Sequence, residues 1–449
     1  MTVAGHLPGS SRRWLCASAL LLSAISFNAH AAPGPAPRSA DQRDYVELFR
    51  ELVETDTTLS HGSCTAAASK MARRLSAAGF PAADIQQYSS PEHPLEGGLV
   101  ATLRAAHPID KGLLLVAHLD VVEVRREDWT RDPFTLTEES GYFYGRGVSD
   151  DKAMAATLVD TLIRLKSEKF RPTRDIKIAL TCGEETATAF NGASYLAQSQ
   201  RALIDASFAL VPSGGAQLDK LGQRISLSIQ AGEKVPQNFQ LEVTHPGGHS
   251  SRPLKHDAIA RLAAGLVKLA DFDFPLRLSE ATRAHFARSA ALETGALATA
   301  LATLGRTADG AAPDATAVAM VANANPGWNS MLRTTCVATL LRAGEAINAL
   351  AQRATATVNC RILPGETVEY TEGTLHAVLA DPGIVVTRIG PASPTPPAPP
   401  LRRAILEPIE TVASQLWPGT PIIPTMLTGA TDARHFNAVG IPTYGLTAV

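Results

Sequence analysis

Leu113-Leu114-Leu115-Val116-Ala117-His118-Leu119-Asp120 is the stretch on which the reading of this chain turns. Its apolar run reads as a buried strand. The run closes on a histidine, with a carboxylate two positions later. Alternate residues of an extended chain share a face, so His118 and Asp120 project to one side. Strand ends of this kind are where α/β folds place their chemistry. Downstream come Gly145-Arg146-Gly147-Val148-Ser149-Asp150-Asp151-Lys152, Glu184-Glu185 and Thr431-Asp432-Ala433-Arg434-His435. These add imidazole and carboxylate groups of the kind that hold zinc.

Around that strand the chain alternates. Residues 41–54 and 64–78 read as helices, the second stopped by Gly79 with Pro81 behind it. Residues 99–103 and 113–118 read as strands. Residues 151–169 read as a helix with Met154, Leu158, Leu162 and Leu165 at helical spacing. Then come a strand over 175–182, a helix over 193–199 and a strand over 207–211. Strands separated by helices imply an α/β fold, a mostly parallel sheet covered on both faces. After about residue 234 the pattern changes. Residues 239–243 alternate as a half-exposed strand does. Strands over 336–341, 354–362 and 384–389, with helices over 257–270 and 368–379, imply a small α+β module with one sheet face covered. Between them, residues 278–304 are Ala-rich and read as an inserted helix pair. Residues 390–400 are Pro-rich and read as a stiff, extended connector; a helix over 401–416 comes next. The expected domains are therefore a catalytic part at 41–233, a smaller lid or dimerisation domain at 234–390, the connector at 391–400, and a second catalytic part at 401–449.

Length and composition allow a large core: 449 residues, 45% hydrophobic. A net charge of −2 and a pI near 6.6 give no electrostatic footprint for nucleic acid or an anionic membrane. Aromatic residues make up 5%, which argues against a base-stacking surface. The first residues read as a leader. Arg12-Arg13 forms a positive n-region, residues 14–27 are apolar but too short to span a bilayer, and Ala29-His30-Ala31 is a small-x-small cleavage site. Residues 1–31 thus read as a bacterial-type secretory signal, giving a secreted or periplasmic protein with no membrane attachment after cleavage. A retained anchor helix is the alternative. Past the signal stand Cys64, Cys182, Cys336 and Cys360. An oxidising compartment permits disulfides, but sequence does not fix their connectivity.

Each candidate group has a plainer reading. His118 alone reads equally well as a hydrogen-bonded strand-end histidine. Asp120 suits a turn and Asp150 suits a helix N-cap. Glu184-Glu185 suits a solvated strand end, and His435 alone says little. Joint placement favours chemistry, because strand exits of a parallel sheet lie on one edge and their side chains can converge. Two Zn²⁺ ions need a shared carboxylate, a histidine and further carboxylates. Asp150 suits the bridge. Of adjacent Glu184 and Glu185 on an extended chain, one can face a metal and the other a water, as a general base must. Asp120 suits the partner that fixes an imidazole tautomer.

These residues resemble the co-catalytic zinc exopeptidases that include carboxypeptidase G, carboxypeptidase S, the aminoacylases and the succinyl-diaminopimelate desuccinylases. The resemblance runs from about residue 41 to the C-terminus, and the form around His435 is most similar to the carboxypeptidase S branch. It implies that His118 and Asp150 hold a first zinc, and that Asp150, Glu185 and His435 hold a second. Asp120 would support His118, and Glu184 would be general base and acid. Gly247-Gly248-His249-Ser250-Ser251 resembles the lid motif whose histidine polarises the scissile carbonyl in a neighbouring active site, which implies a homodimer. Asn348 and Arg361 match positions that grip the substrate carboxylate, a task suited to a bidentate guanidinium. Gly429 matches a loop whose backbone approaches the substrate. Taken singly, Arg361 also reads as a salt-bridge residue and His249 as a turn histidine.

Two departures stand out. Ser213, in Val211-Pro212-Ser213-Gly214-Gly215, occupies the place of a carboxylate ligand to the first zinc, and no acid lies between Asp205 and Asp219 to replace it. The resemblance also implies a further strand and helix beyond Val449. The expected activity is hydrolysis of an amide next to a free carboxylate, in a small peptide or an N-acyl amino acid. The competing expectation, from Ser213, is a degenerate member that binds such ligands without turnover.

Overall fold

In the computed structural model, residues 38–186 and 190–447 are described. The expected secretory signal lies outside them, and among them no helix is long and apolar enough to cross a membrane. The chain divides into Met1–Arg43 and Asp44–Val449. Of the first unit only residues 38–43 are described, and they open helix α1 (Ala40–Val53). Both large sheets belong to the second unit.

The elements up to residue 233 come in the order α2 (Cys64–Ala77), β1 (Ile85–Ser90), β2 (His93–Leu103), β3 (Gly112–His118), β4 (Thr137–Glu139), β5 (Tyr142–Tyr144), α3 (Lys152–Ser167), β6 (Ile176–Thr181), α4 (Gly192–Ser199), β7 (Ala206–Val211), β8 (Gly215–Leu218) and β9 (Arg224–Glu233). Three later elements return to the same sheet: β16 (Ile422–Leu427), α12 (Ala433–Ala438) and β17 (Thr443–Gly445). The sheet has nine strands in the order β1-β2-β6-β3-β7-β17-β9-β16, with β8 on β9. Its centre is parallel: β6, β3, β7 and β17 run together, as do β9 and β16, while β1, β2, β8 and the β17–β9 contact are antiparallel. In the parallel centre His118 pairs Thr181 and Gly445 pairs Val211, so strand exits share an edge.

Both faces are covered. On one, Phe49, Leu52, Met71, Leu75, Val159 and Leu162 from α1 to α3 pack on Leu99, Ala117 and Leu180. On the other, Leu196 of α4 and Phe436 of α12 pack on Leu114, Val116 and Val211. Burial of such side chains contributes roughly 1.5–3 kcal/mol each. Strands β1, β9, β16 and β17 go beyond the sequence expectation. They are short or weakly patterned, and are defined by partners far along the chain.

The smaller sheet takes β10 (Val235–Thr244), β12 (Thr335–Ala343), β14 (Arg353–Ile362) and β15 (Val385–Ile389), all antiparallel in the order β12-β14-β10-β15. Two-residue strands β11 (Gly248–His249) and β13 (Ala349–Leu350) form a separate ladder beside it. In β10 burial alternates residue by residue. Phe239, Leu241 and Val243 face a core shared with Leu262 and Leu269 of α5 (Ala258–Ala270) and Leu375 and Leu379 of α10 (Val368–Leu379). One face is therefore helix-covered, as expected.

The Ala-rich run at 278–304 holds a helix pair, as expected, α6 (Glu280–Ser289) and α7 (Gly295–Gly305). Two further helices follow it, α8 (Ala315–Ala324) and α9 (Pro326–Leu332), and the four share a core of Phe286, Leu301, Leu304, Val321 and Leu332. Asp314 caps α8 through Ala317 N–H, and Asn325 caps α9 ahead of Pro326 at the first turn. These start signals lie past the Ala-rich run that marks the first two helices. The Pro-rich segment holds neither helix nor strand up to α11 (Arg403–Leu416). Disulfides join Cys64 to Cys182 and Cys336 to Cys360, the second pair lying opposite one another on β12 and β14.

Candidate active site

The exit of β3 delivers His118, which is buried with its ring nitrogens both engaged. Nδ1 lies 3.1 Å from the backbone carbonyl of Asp120, and Nε2 lies 2.9 Å from Asp150 Oδ1. The Asp120 carboxylate is 3.6 Å from Nδ1 and is used elsewhere, accepting from Glu184 N–H at 3.3 Å and Glu185 N–H at 3.0 Å. Asp120 thus orients the imidazole through its main chain and holds the glutamate turn through its side chain. That turn comes after β6 and is made at Gly183, whose φ of +89° and contact with Phe190 O leave no room for a Cβ.

Asp150 is not a helix cap. The N-cap of α3 is Asp151, whose side chain makes no capping bond; it turns inward and accepts from His118 N–H at 3.1 Å. Beside it Lys152, fully buried, donates to Thr55 O at 2.7 Å.

His118, Asp150, Glu184, Glu185, Thr431 and Asp432 line one cavity of about 280 Å³. Asp432 is a site residue that sequence reasoning misses. It is buried and accepts from Thr181 Oγ at 2.9 Å and Asn191 Nδ2 at 3.0 Å. Its place beside Thr431 in the C-terminal motif is the signal that could have marked it.

The electrostatics are those of crowded carboxylates around one imidazole. Burial lowers His118, but the Asp150 hydrogen bond and the charges of Asp151, Asp120 and Glu184 outweigh it and raise it well above the usual histidine range. Burial, reinforced by Asp432, Glu185 and Asp120, pushes Glu184 up to about 8 against the pull of His118. Glu185 is raised by burial and by Asp150. A negative cluster that runs from buried Asp120 and Asp432 through half-buried Glu184 and Glu185 to exposed Asp150, with this little positive charge, fits a divalent cation, which would offset the repulsion.

Other expected residues stand further off. His435 lies half-buried on α12, with its Nε2 buried and unpartnered; burial and Arg434 lower it to about 4. It is not part of the cavity lining, and no three of the donor atoms of His118, Asp150, Glu185 and His435 come within 4.8 Å of one another. Ser213 is also off the lining. Val211 and Pro212 wall the cavity there, and the Ser213 Cβ faces Gln230 across Gly445. His249 on β11 and Asn348 in the turn before β13 are both exposed; Ser250 N–H donates to Asn348 O at 2.9 Å and Ser251 engages His249 Nδ1. They do not reach this cavity within the chain. Arg361 on β14 is half-buried, with Nε donating to Asn359 Oδ1 at 3.2 Å; burial and the nearby Arg434 lower it. Gly429 precedes Ala430 and Thr431, which line the cavity.

Residues 114–448 match the profile of Peptidase family M20/M25/M40. The chain belongs to this family. This M20-family chain is 29% identical over 343 residues to the N-fatty-acyl-amino acid synthase/hydrolase PM20D1 of Homo sapiens, a match covering 75% of this chain and 66% of the relative. It is 27% identical to the probable carboxypeptidase S-like 2 of Dictyostelium discoideum, covering 73% and 62%. The matches thus span just under two thirds of each relative. The fold is similar to that of the M20 family metallo-carboxypeptidase Sso-CP2 from Sulfolobus solfataricus, with a TM-score of 0.64, 17% identity and 91% of each chain covered.

Proposed function

We propose that this M20-family chain is a secreted, zinc-dependent hydrolase of amides adjacent to a free carboxylate, acting on small peptides or N-acyl amino acids. The observation that carries it is the cavity itself: His118, Asp150, Glu184 and Glu185, distant in sequence, face one space. Names of relatives agree in substrate chemistry, as one is an N-fatty-acyl-amino acid hydrolase and another carboxypeptidase S-like.

His118, Asp150 and Glu185 would hold the cations, with His435 assigned to the second by resemblance alone. A divalent cation there supplies Lewis acidity toward the scissile carbonyl and toward water. Glu184, anchored through its own amide to Asp120, takes the proton of the attacking water and returns it to the leaving nitrogen. Arg361 offers a planar two-pronged donor to the substrate carboxylate. His249 and Asn348, exposed and off the cavity lining, would serve the site of a second copy of the chain. The β12 edge of the smaller sheet, with Val337, Leu340 and Leu341 exposed, offers the surface for such a homodimer.

The test is metal analysis of the mature protein, with a panel of dipeptides and N-acyl amino acids at near-neutral pH. About two zinc ions per chain, turnover lost on chelation, and turnover abolished in Glu184→Gln with metal content unchanged are expected. A chain that binds the panel but cleaves none of it would establish the second reading, binding without catalysis. That reading is favoured by Pro212 walling the cavity beside Ser213, where the family resemblance places a carboxylate.

A further inference from the structure

We propose that Glu233 is a positioning residue for substrate: by binding Thr431 it sets the Gly429–Thr431 loop that walls the cavity, and it ties that loop to the junction with the smaller domain. The proposal rests on the hydrolase reading above. Glu233 is the last residue of β9, and it is only 4% exposed. Its Oε2 accepts Thr431 N–H at 2.7 Å, Thr431 Oγ1 at 2.7 Å and Gln230 Nε2 at 3.0 Å. Its Oε1 is buried with no partner. Three donors thus converge on one oxygen, two of them from a residue 198 positions away.

Thr431 is left no freedom. Its hydroxyl, having donated to Glu233, accepts Ala433 N–H at 3.1 Å, and its carbonyl accepts Arg434 Nη1 at 3.0 Å. Thr431, Ala430 before it and Asp432 after it all line the cavity, so the height of this wall is set by the Glu233 carboxylate. Three donors on one buried carboxyl oxygen fix geometry, because hydrogen bonds strengthen where the local dielectric is low.

The next residue faces the other way. Lys234 is fully buried; its N–H donates to Leu427 O at 2.9 Å, and its Nζ lies within 3.0 Å of Ser330 O, Ser330 Oγ, Arg333 O and Thr335 Oγ1. Those acceptors sit where the chain leaves the helical insertion and enters β12. Adjacent buried side chains therefore grip the substrate loop on one side and the return crossing on the other. A shift of the smaller domain about this junction is transmitted to Thr431. Neither residue touches the groups that do chemistry, so the effect belongs to substrate grip and not to the proton transfers of Glu184.

The experiment compares Glu233→Ala and Glu233→Gln with Leu241→Ala, a substitution in the core of the smaller sheet, in the full mature chain. Amide hydrogen exchange is measured in peptides covering residues 428–434, and kinetics on the panel substrate that the wild type cleaves fastest. In Glu233→Ala, exchange in that segment is expected to quicken about tenfold beyond Leu241→Ala. KM should rise about fivefold or more with kcat within about twofold, and Glu233→Gln should recover most of KM. Exchange no faster than in Leu241→Ala, or equal kinetic losses in the two variants at matched folded fraction, would overturn the proposal. Should the wild type cleave nothing, the hydrolase reading fails by itself. The exchange comparison, with calorimetric binding of an N-acetyl amino acid in place of KM, then still decides the role of Glu233.

Discussion

Single residues show how far the type of a side chain reveals its work. His118 and Glu184 each had a plainer reading alone, and what marked them was their joint placement at strand exits, which the structure brings to one cavity. Asp120 was legible as a partner but not in its manner, since its carbonyl and its carboxylate divide the task between His118 and the glutamate turn. Glu233 gave no signal. Its meaning depends on Thr431, far along the chain, and Gly232-Glu233-Lys234 read simply as the place where the pattern changes. That residue also carries a pH signature. Burial, opposed by Thr431 and Arg434, raises Glu233 from 4.5 to about 7. Between these values the folded chain keeps a proton that the unfolded chain has released. Its contribution is therefore fully present below about pH 4.5 and is lost as pH rises through about 7. Urea unfolding of wild type and Glu233→Gln between pH 4.5 and 8 should show that slope in the wild type and its loss in the variant. Parallel curves would mean that Glu233 titrates normally in the fold.

At the scale of elements, long and strongly patterned segments were readable and short ones were not. Helix α3 and strands β3 and β10 carry their period in their own residues. β17, three residues long, exists because β7 and β9 flank it, and its sequence alone carries no such information. The cysteines likewise gave candidates without pairing. The Cys64–Cys182 bridge ties the first turn of α2 to the exit of β6 and closes a 118-residue separation, whereas Cys336–Cys360 joins facing residues only 24 apart. Constraint of the unfolded chain grows with loop length, so loss of the first bridge should cost about 5 kcal/mol and of the second about 3. Paired cysteine-to-alanine variants compared by denaturant unfolding test this ordering. A larger loss for the Cys336–Cys360 pair would show that native packing, not loop closure, dominates.

The whole molecule places its candidate site at the strand exits of the large sheet and leaves one flank of the small one bare. Among the described residues strand β12 has a single ladder partner, β14, and its outer residues Val337, Leu340 and Leu341 are each more than half exposed. An apolar edge of this kind calls for cover. If a second copy supplies it, Leu341→Lys should turn a dimer into a monomer in sedimentation experiments. Turnover should then fall with the loss of His249 and Asn348 from the facing site. A wild type that sediments as a monomer at tens of micromolar (about the range where weak interfaces dissociate) would leave those two residues without a site to serve. The division of the chain into two sheets was legible in the switch from helix-separated strands to alternating ones. The second half of the insertion, α8 and α9, was not, because short helices past the Ala-rich run take their places from partners far along the chain, as when Lys234 binds Ser330 of α9.

The placement of the long-range disulfide bears on how the metal should be counted. Cys64, Cys182 and Asp120 are all buried, with donor atoms within 4.8 Å of one another. While the disulfide stands, the sulfurs are spent. In a preparation handled under a dithiol reductant they become two thiols beside a carboxylate, a donor set that suits zinc. Zinc added to such a preparation would meet a rival site under the glutamate turn, one that competes for the carboxylate that holds Glu184 and Glu185 in place. An overstoichiometric, sluggish sample would then report the history of its sulfurs and not the capacity of its catalytic centre, so the count belongs to the oxidised chain.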